Sequence, residues 1–239
     1  MNTTTPSFLG TNKKTARIAG AFYLLFIVAT AIANAIRTKL IVDGDAIATA
    51  RNIQESEMLF RFGFLSDILA GVLFLLAAWA LYVLLKPVNK NIALLFLVLN
   101  LGGVAVQVLN MLNLFSAVLL LSGAEYLTIF QPEQAQALAM LFLNLHESGF
   151  MIAQFFFAAW LFPLGYLIFR SGFLPRILGI VVMIECFAWL LYPLQFFFFP
   201  SVYVTYISSA VGFIGEFSLT LWLLIMGAKD QKPTLFEVS

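Results

Sequence analysis

Histidine and cysteine occur once each in this chain of 239 residues, and only 10% of its side chains are charged. A soluble domain carries about 25% charged residues, so there is too little polar surface here to cover a fold that faces water. The single cysteine, Cys186, excludes an intrachain disulfide and any multi-cysteine metal cluster. It reads as a small buried apolar side chain. The single histidine, His146, excludes a histidine-rich zinc site, and "HESGF" lacks the second histidine of an H-E-x-x-H protease. A net charge of +1 leaves no basic field for nucleic acid. No G-x-S-x-G elbow, Walker loop or dinucleotide fingerprint is present, and no lysine lies inside an apolar run where it would form a Schiff base. Neither a metal nor an organic cofactor is expected.

What the chain does have is hydrophobic residues, 62% of the total, with phenylalanine used 26 times. Several apolar runs exceed the roughly 18 residues that mark a transmembrane candidate. The fold class is therefore all-α: a membrane protein built as a bundle of six transmembrane helices. Residues 1–15 read as a flexible tail, 16–226 as one six-helix domain and 227–239 as a second short tail.

The first run, Ile18 to Ile36, spans about 28 Å at helical rise, enough to cross the hydrocarbon core. Lys13, Lys14 and Arg17 before it and "AIANA" within it also imitate a signal peptide. A retained signal-anchor accounts for the same residues, and cleavage would leave five helices. Asp43, Gly44 and Asp45 form a turn and N-cap, followed by a short surface helix to Glu57. The second span runs from Met58 to Leu85 and is stopped by "KPVNK"; the third runs from Ile92 to Leu121. Pro132 opens the fourth, which continues to Phe169 with a kink expected at Pro163. The fifth starts near Ile177 and loses its pattern at "YPLQFFFFP", where Pro193 and Pro200 bracket an aromatic turn. The sixth runs from Val202 to Met226. The two halves show no repeat that would mark an inverted transporter.

Orientation follows from lysine and arginine. One side collects nine: Lys13, Lys14, Arg17, Lys86, Lys90, Arg170, Arg176, Lys229 and Lys232. The other has four, Arg37, Lys39, Arg51 and Arg61. Both termini are expected in the cytoplasm.

An ionisable group at the bilayer centre costs about 2.5–3.5 kcal/mol on the insertion scale, so each one needs a reason. Glu185 and Glu216 both lie about 12–15 Å from the inner boundary at helical rise, and Asp67 lies nine residues in from the outer end of the second span. At 100° per residue, Asp67 shares a face with Gly63, Ala70, Gly71 and Ala78, and Glu216 shares one with Ser208, Gly212 and Thr220. Asn100, Gly103, Gln107 and Asn110 line one side of the third span. Small and polar residues in stripes face other helices. Glu147 falls on the line of Gln154 and Ala158, so it is placed on the interior stripe, with His146 about 100° round at its border. The His146–Glu147 pair lies roughly 35 Å from Arg170 along a straight helix, at the outer rim. The candidates for binding a ligand or carrying a proton are thus Asp67, Gln107, Asn110, Glu147, Glu185 and Glu216. Arg61 and His146 are placed at the rim, Arg61 as an interfacial anchor or in an ion pair with Glu147 or another external acid. Each of the deep acids has the alternative role of a protonated helix-packing hydrogen bonder, and burial disfavours the charged form of any carboxyl group.

The stretches "ARIAGAFYLLFIVA", "RTKLIVDGDAIATARNI", "LYVLLKPVNKNIALL", "QPEQAQALAMLFLNLHESGF" and "GYLIFRSGFLPRILG" resemble the bacterial multi-pass membrane proteins catalogued as domain of unknown function 4386. The resemblance covers Ala16 to Leu224. It implies a six-helix α fold in the bacterial cytoplasmic (inner) membrane, and no activity or catalytic residues.

Three functions fit these residues. The first is a binding or carrier-like module that takes a small molecule, a lipid or a proton at an acidic intramembrane site. Six helices are few for a transporter, which points to a homo-oligomer in that case. The second is a non-catalytic membrane partner or sensor that uses the first external loop, "DGDAIATARNIQESE". The third is an intramembrane enzyme on a lipid-like substrate, with Glu185 and Glu216 as general acid and base. The bilayer itself is the one partner that composition demands.

Overall fold

The computed structural model describes residues 12–229. Among these the chain forms eight α-helices and no strand. They are α1 (Asn12–Leu40), α2 (Ala46–Glu55), α3 (Glu57–Leu85), α4 (Lys90–Leu120), α5 (Pro132–Ala159), α6 (Leu161–Ser171), α7 (Arg176–Phe198) and α8 (Val202–Leu221). Six spans are long and apolar enough to cross a membrane: α1, α3, α4, the pair α5–α6, α7, and α8 with its wider terminal turn Trp222–Met226. Helices are the form such segments must take, because hydrocarbon offers no partner to an unpaired backbone group.

The helix ends follow local chemistry. The Asp45 carboxylate accepts the Ala48 N–H at 2.8 Å and starts α2 as expected. That helix is less superficial than its polarity suggests, since Thr49, Ala50 and Ile53 are buried. Asn89 caps α4 through the N–H groups of Asn91 and Ile92. α1 begins at Asn12, inside the stretch assigned to the tail; residues 1–11 and 230–239, which hold the rest of both tails and Lys232, lie outside the described residues.

Two prolines behave differently. Between α5 and α6 the helix is interrupted at Trp160, three residues before Pro163, which has no N–H to give the Ala159 carbonyl. The expected break at "YPLQFFFFP" does not occur: α7 runs through Pro193 and ends only at Phe198. Membrane helices tolerate an internal proline where neighbours pack against it, and Pro193 is buried. The turn that follows is closed by Gln195, whose Oε1 accepts the Ser201 N–H at 2.8 Å.

Helices adjacent in sequence pack side by side, α1 on α3, α4 on α5, α6 on α7 and α7 on α8. Small residues allow the closest approaches: a Cβ on Gly165 would lie 2.7 Å from the Gly179 carbonyl oxygen, and one on Gly179 would lie 2.6 Å from that of Gly165. The first and last spans meet at the lysine- and arginine-rich end of the bundle, termed the inner end, with the opposite end termed the outer. Arg17 donates to the Ile225 carbonyl at 3.1 Å, and Gly20 lies against the backbone of Leu223 and Leu224. Lys229 N–H donates to the Phe173 carbonyl there as well, so the basic chain ends and the α6–α7 loop share one face of the bundle. Two apolar clusters fill the interior. One is centred on Tyr23, Phe74, Phe96 and Trp160, and the other, nearer the outer end, on Ile53, Phe60, Leu114 and Leu143.

Candidate functional site

The deep acids of α7 and α8 come together. Glu185 is fully buried, and its Oε1 accepts the Trp189 indole N–H at 3.2 Å. Its other oxygen, Oε2, makes no well-aligned hydrogen bond and rests on Gly215, beside the Glu216 backbone N–H. Glu216 is half-buried, and its Oε1 accepts the Tyr23 hydroxyl at 3.0 Å. The two carboxyl groups lie within electrostatic range of one another. Neither takes part in an ion pair among the described residues, so neutral donors alone hold them. The local sequence makes this arrangement fit. Gly212 and Gly215, on the face of α8 that meets α7, leave the volume that the Trp189 ring and the Glu185 carboxyl occupy.

Tyr23 links the pair to the aromatic core. It is fully buried, stacks on Trp160 at 6.4 Å between ring centres and meets Phe74 edge-on at 5.6 Å. Tyr23 carries no mark in the sequence, and Trp189 reads there as an aromatic ring near the outer boundary, not as a partner of Glu185. The signal available was spacing: Tyr23 is at the depth of the acids, and Trp189 is one helical turn from Glu185.

The remaining candidates lie elsewhere. Asp67 forms an ion pair with Arg37 of α1, with side-chain exposures of only 8% and 22%. The sequence reading had left Arg37 in the outer loop. α1 continues to Leu40 and carries Arg37 alongside α3, where Ile36 touches Gly63, one turn before Asp67. Arg61 pairs instead with Glu57, one turn back on its own helix, at 2.7 Å, and both are exposed.

On α5 the expected facing of His146 and Glu147 is reversed. His146 is buried and Glu147 exposed. The outer half of α5 packs through Ala139 and Leu143 against α2 and α4, and that face is His146's. The line through Gln154 and Ala158 holds only for the inner half, where both are buried. Asn110 of α4 organises the contact: its Nδ2 donates to the His146 carbonyl at 2.8 Å and lies 3.2 Å from Nδ1. Nδ1 also lies 3.5 Å from the Asn110 backbone carbonyl, so it accepts from the amide in one tautomer and donates to the carbonyl in the other. Asn113 donates to Asn110 Oδ1 at 2.9 Å and completes the network. Gln107, between this network and the core, has a buried Oε1 with no partner. The outer-half candidates thus form two separate tie points, Arg37–Asp67 and Asn110–His146, apart from the Glu185–Glu216 pair.

Two cavities lie away from the acids. One of about 380 Å³ is lined by Lys13, Lys14, Arg17, Ile18 and Ala21 at the inner end of α1. The other, about 200 Å³, is at the outer rim between Gln54, Leu121 and Pro132. Among the described residues no group of three or more histidine, cysteine or acidic side chains is placed to hold a metal ion.

Six apolar helices make this a multi-pass membrane protein. The chain belongs to the family described as Domain of unknown function (DUF4386), whose model matches residues 18–227. Over 153 residues it is 31% identical to a protein of Archaeoglobus fulgidus described as "Uncharacterized protein", an alignment that covers 64% of this chain and 75% of that one. No solved structure matches.

Proposed function

We propose that this protein is a proton-binding, carrier-like membrane module whose site is the Glu185–Glu216 pair. The supporting observation is the pairing itself: two carboxyl groups on adjacent helices, at one depth, held by Tyr23 and Trp189 with no ion pair to either among the described residues. Two neighbouring carboxylates in a low-dielectric interior do not both carry a charge, so at least one of the two holds a proton. Glu185 is the more deeply enclosed of the two, and Glu216 is the partly exposed one. A proton needs no cavity, and the two cavities described above hold no acid.

The protein is proposed to lie in the cytoplasmic membrane of a bacterium with both chain ends inside, since the lysine- and arginine-rich face holds both. A homo-oligomer is proposed as the working form, because one six-helix unit offers little surface for alternating access.

Proton flux tests the carrier-like reading. Proteoliposomes carrying a pH-sensitive dye and an imposed pH gradient should equilibrate faster than empty vesicles. A Glu185→Gln/Glu216→Gln variant should be as tight as the empty ones. Wild-type vesicles no leakier than protein-free vesicles would contradict it. Mass spectrometry of co-purifying molecules separates the small-molecule version: a defined species lost in the double variant would replace the proton as the cargo.

A second reading, a non-catalytic partner or sensor, is favoured by the Asn110–His146–Asn113 network and the capped α2. Both put ordered polar structure at the outer rim without a cavity between the acids.

A further inference from the structure

The polar layer that contains the acid pair extends further into the bundle. Asn100 and Trp160 are both completely buried, and Asn100 Oδ1, Asn100 Nδ2 and Trp160 Nε1 have no hydrogen-bond partner among the described residues. Their helices pack on one another. α4 runs antiparallel to α5–α6, with Phe96 6.1 Å from Trp160 between ring centres and Gly103 in contact with Phe157. Asn100 lies one turn above Phe96 and three residues below Gly103, so it falls within the stretch of α4 that packs on Phe157 and Trp160.

Depth places them beside the acids. Asn100, Trp160, Tyr23, Glu185 and Glu216 each lie nine to eleven residues from the inner end of their span, or about 14–16 Å at helical rise. Tyr23 is shared by both groups: its hydroxyl is on Glu216 and its ring is stacked on Trp160.

We infer that Asn100 and Trp160 hold ordered water in the middle of the bundle, at the level of Glu185 and Glu216. Buried polar atoms are paired with protein or with water in folded proteins, and leaving them unpaired costs more than immobilising a water. The three atoms offer two donors and one acceptor, a set that water can satisfy, and no direct hydrogen bond joins them. One water accepts from the Trp160 indole N–H and donates to Asn100 Oδ1, and a second accepts from Asn100 Nδ2. The layer then runs from α4 to α8 as water, aromatic rings and the acid pair. This water site stands on the orphaned atoms alone and does not depend on the acids carrying a proton.

The test is nuclear magnetic resonance on [¹⁵N]tryptophan-labelled protein in lipid nanodiscs, with the Trp160 indole signal assigned by its loss in Trp160→Phe. The wild type should show a magnetisation-transfer cross-peak from water to the Trp160 N–H. Asn100→Leu should lose it, and Asn100→Ser, which keeps a hydroxyl, should retain it. A wild-type Trp160 signal with no water cross-peak overturns the inference, and if Trp160→Phe does not fold the signal is assigned by elimination through Trp79→Phe, Trp189→Phe and Trp222→Phe. A cross-peak unchanged in Asn100→Leu overturns the role of Asn100. Neither result touches the acid pair, whose failure is read from proton flux in the Glu185→Gln/Glu216→Gln variant.

Discussion

Tyr23 on the first helix donates its hydroxyl to Glu216 on the last at 3.0 Å, joining residues 193 positions apart in mid-bundle. The contact joins α1 to α8 at the depth of the acid pair, and it gives the Glu216 carboxyl its one side-chain hydrogen bond among the described residues. Tyr23→Phe keeps the ring against Phe74 and Trp160 and removes only the donor. The expected cost is about 1 kcal/mol, the usual size of one such bond in water or in a membrane, read from reversible unfolding in mixed micelles.

Gly215→Ala puts a methyl group on the Glu185 carboxyl. α7 and α8 must then separate or Glu185 must leave its place, and overpacking of this kind costs about 1–3 kcal/mol. Trp189 fluorescence should change with it, since the same carboxyl accepts the indole N–H. A variant with wild-type stability and emission would show that the two helices are not this close.

The Arg37–Asp67 pair ties α1 to α3 with little exposure of either side chain. Asp67→Asn leaves a buried guanidinium unpaired, at a cost of about 3 kcal/mol. Arg37→Met combined with Asp67→Leu should recover most of that loss, because the charge and its partner are removed together. The exposed Arg61–Glu57 pair serves as the control: Arg61→Ala should cost less than about 1 kcal/mol. The double-mutant cycle at 37 and 67 should therefore show strong coupling.

The spans were legible because apolar runs end at residues with a physical reason to stop them, "KPVN" after α3, Ser122–Gly123 after α4 and "RSGFLPR" after α6. Pro193 misled because proline reads as a breaker in water, whereas a packed membrane helix carries it. Depth counting brought Glu185 and Glu216 to one level correctly, since straight helices convert residue number into height. Facing was harder. His146 and Glu147 are 100° apart, and which one is covered depends on where α4 and the polar helix α2 dock, which no periodicity within α5 reveals. Asp67 found Arg37 because α1 is longer than its apolar core, and the Tyr23–Glu216 contact joins the two ends of the sequence, which no local pattern encodes.

Asn110→Leu should be costly for its size. It removes the donor to the His146 carbonyl and ring, and the acceptor of Asn113, in one change. A loss of about 1–3 kcal/mol is expected, with Asn113→Ala losing less, since Asn113 is only partly buried. Unfolding of both variants side by side checks the order.

The measurement that bears most directly on the acid pair is infrared difference spectroscopy of the carboxyl C=O stretch as pH is changed, in wild type, Glu185→Gln, Glu216→Gln and the double variant. One shared site predicts a titrating wild-type band that disappears in the double variant, while each single variant shifts the band of the acid that remains. A wild-type band that survives unchanged in the double variant, or single-variant spectra that simply add up to the wild type, would contradict the pair as a proton-holding unit.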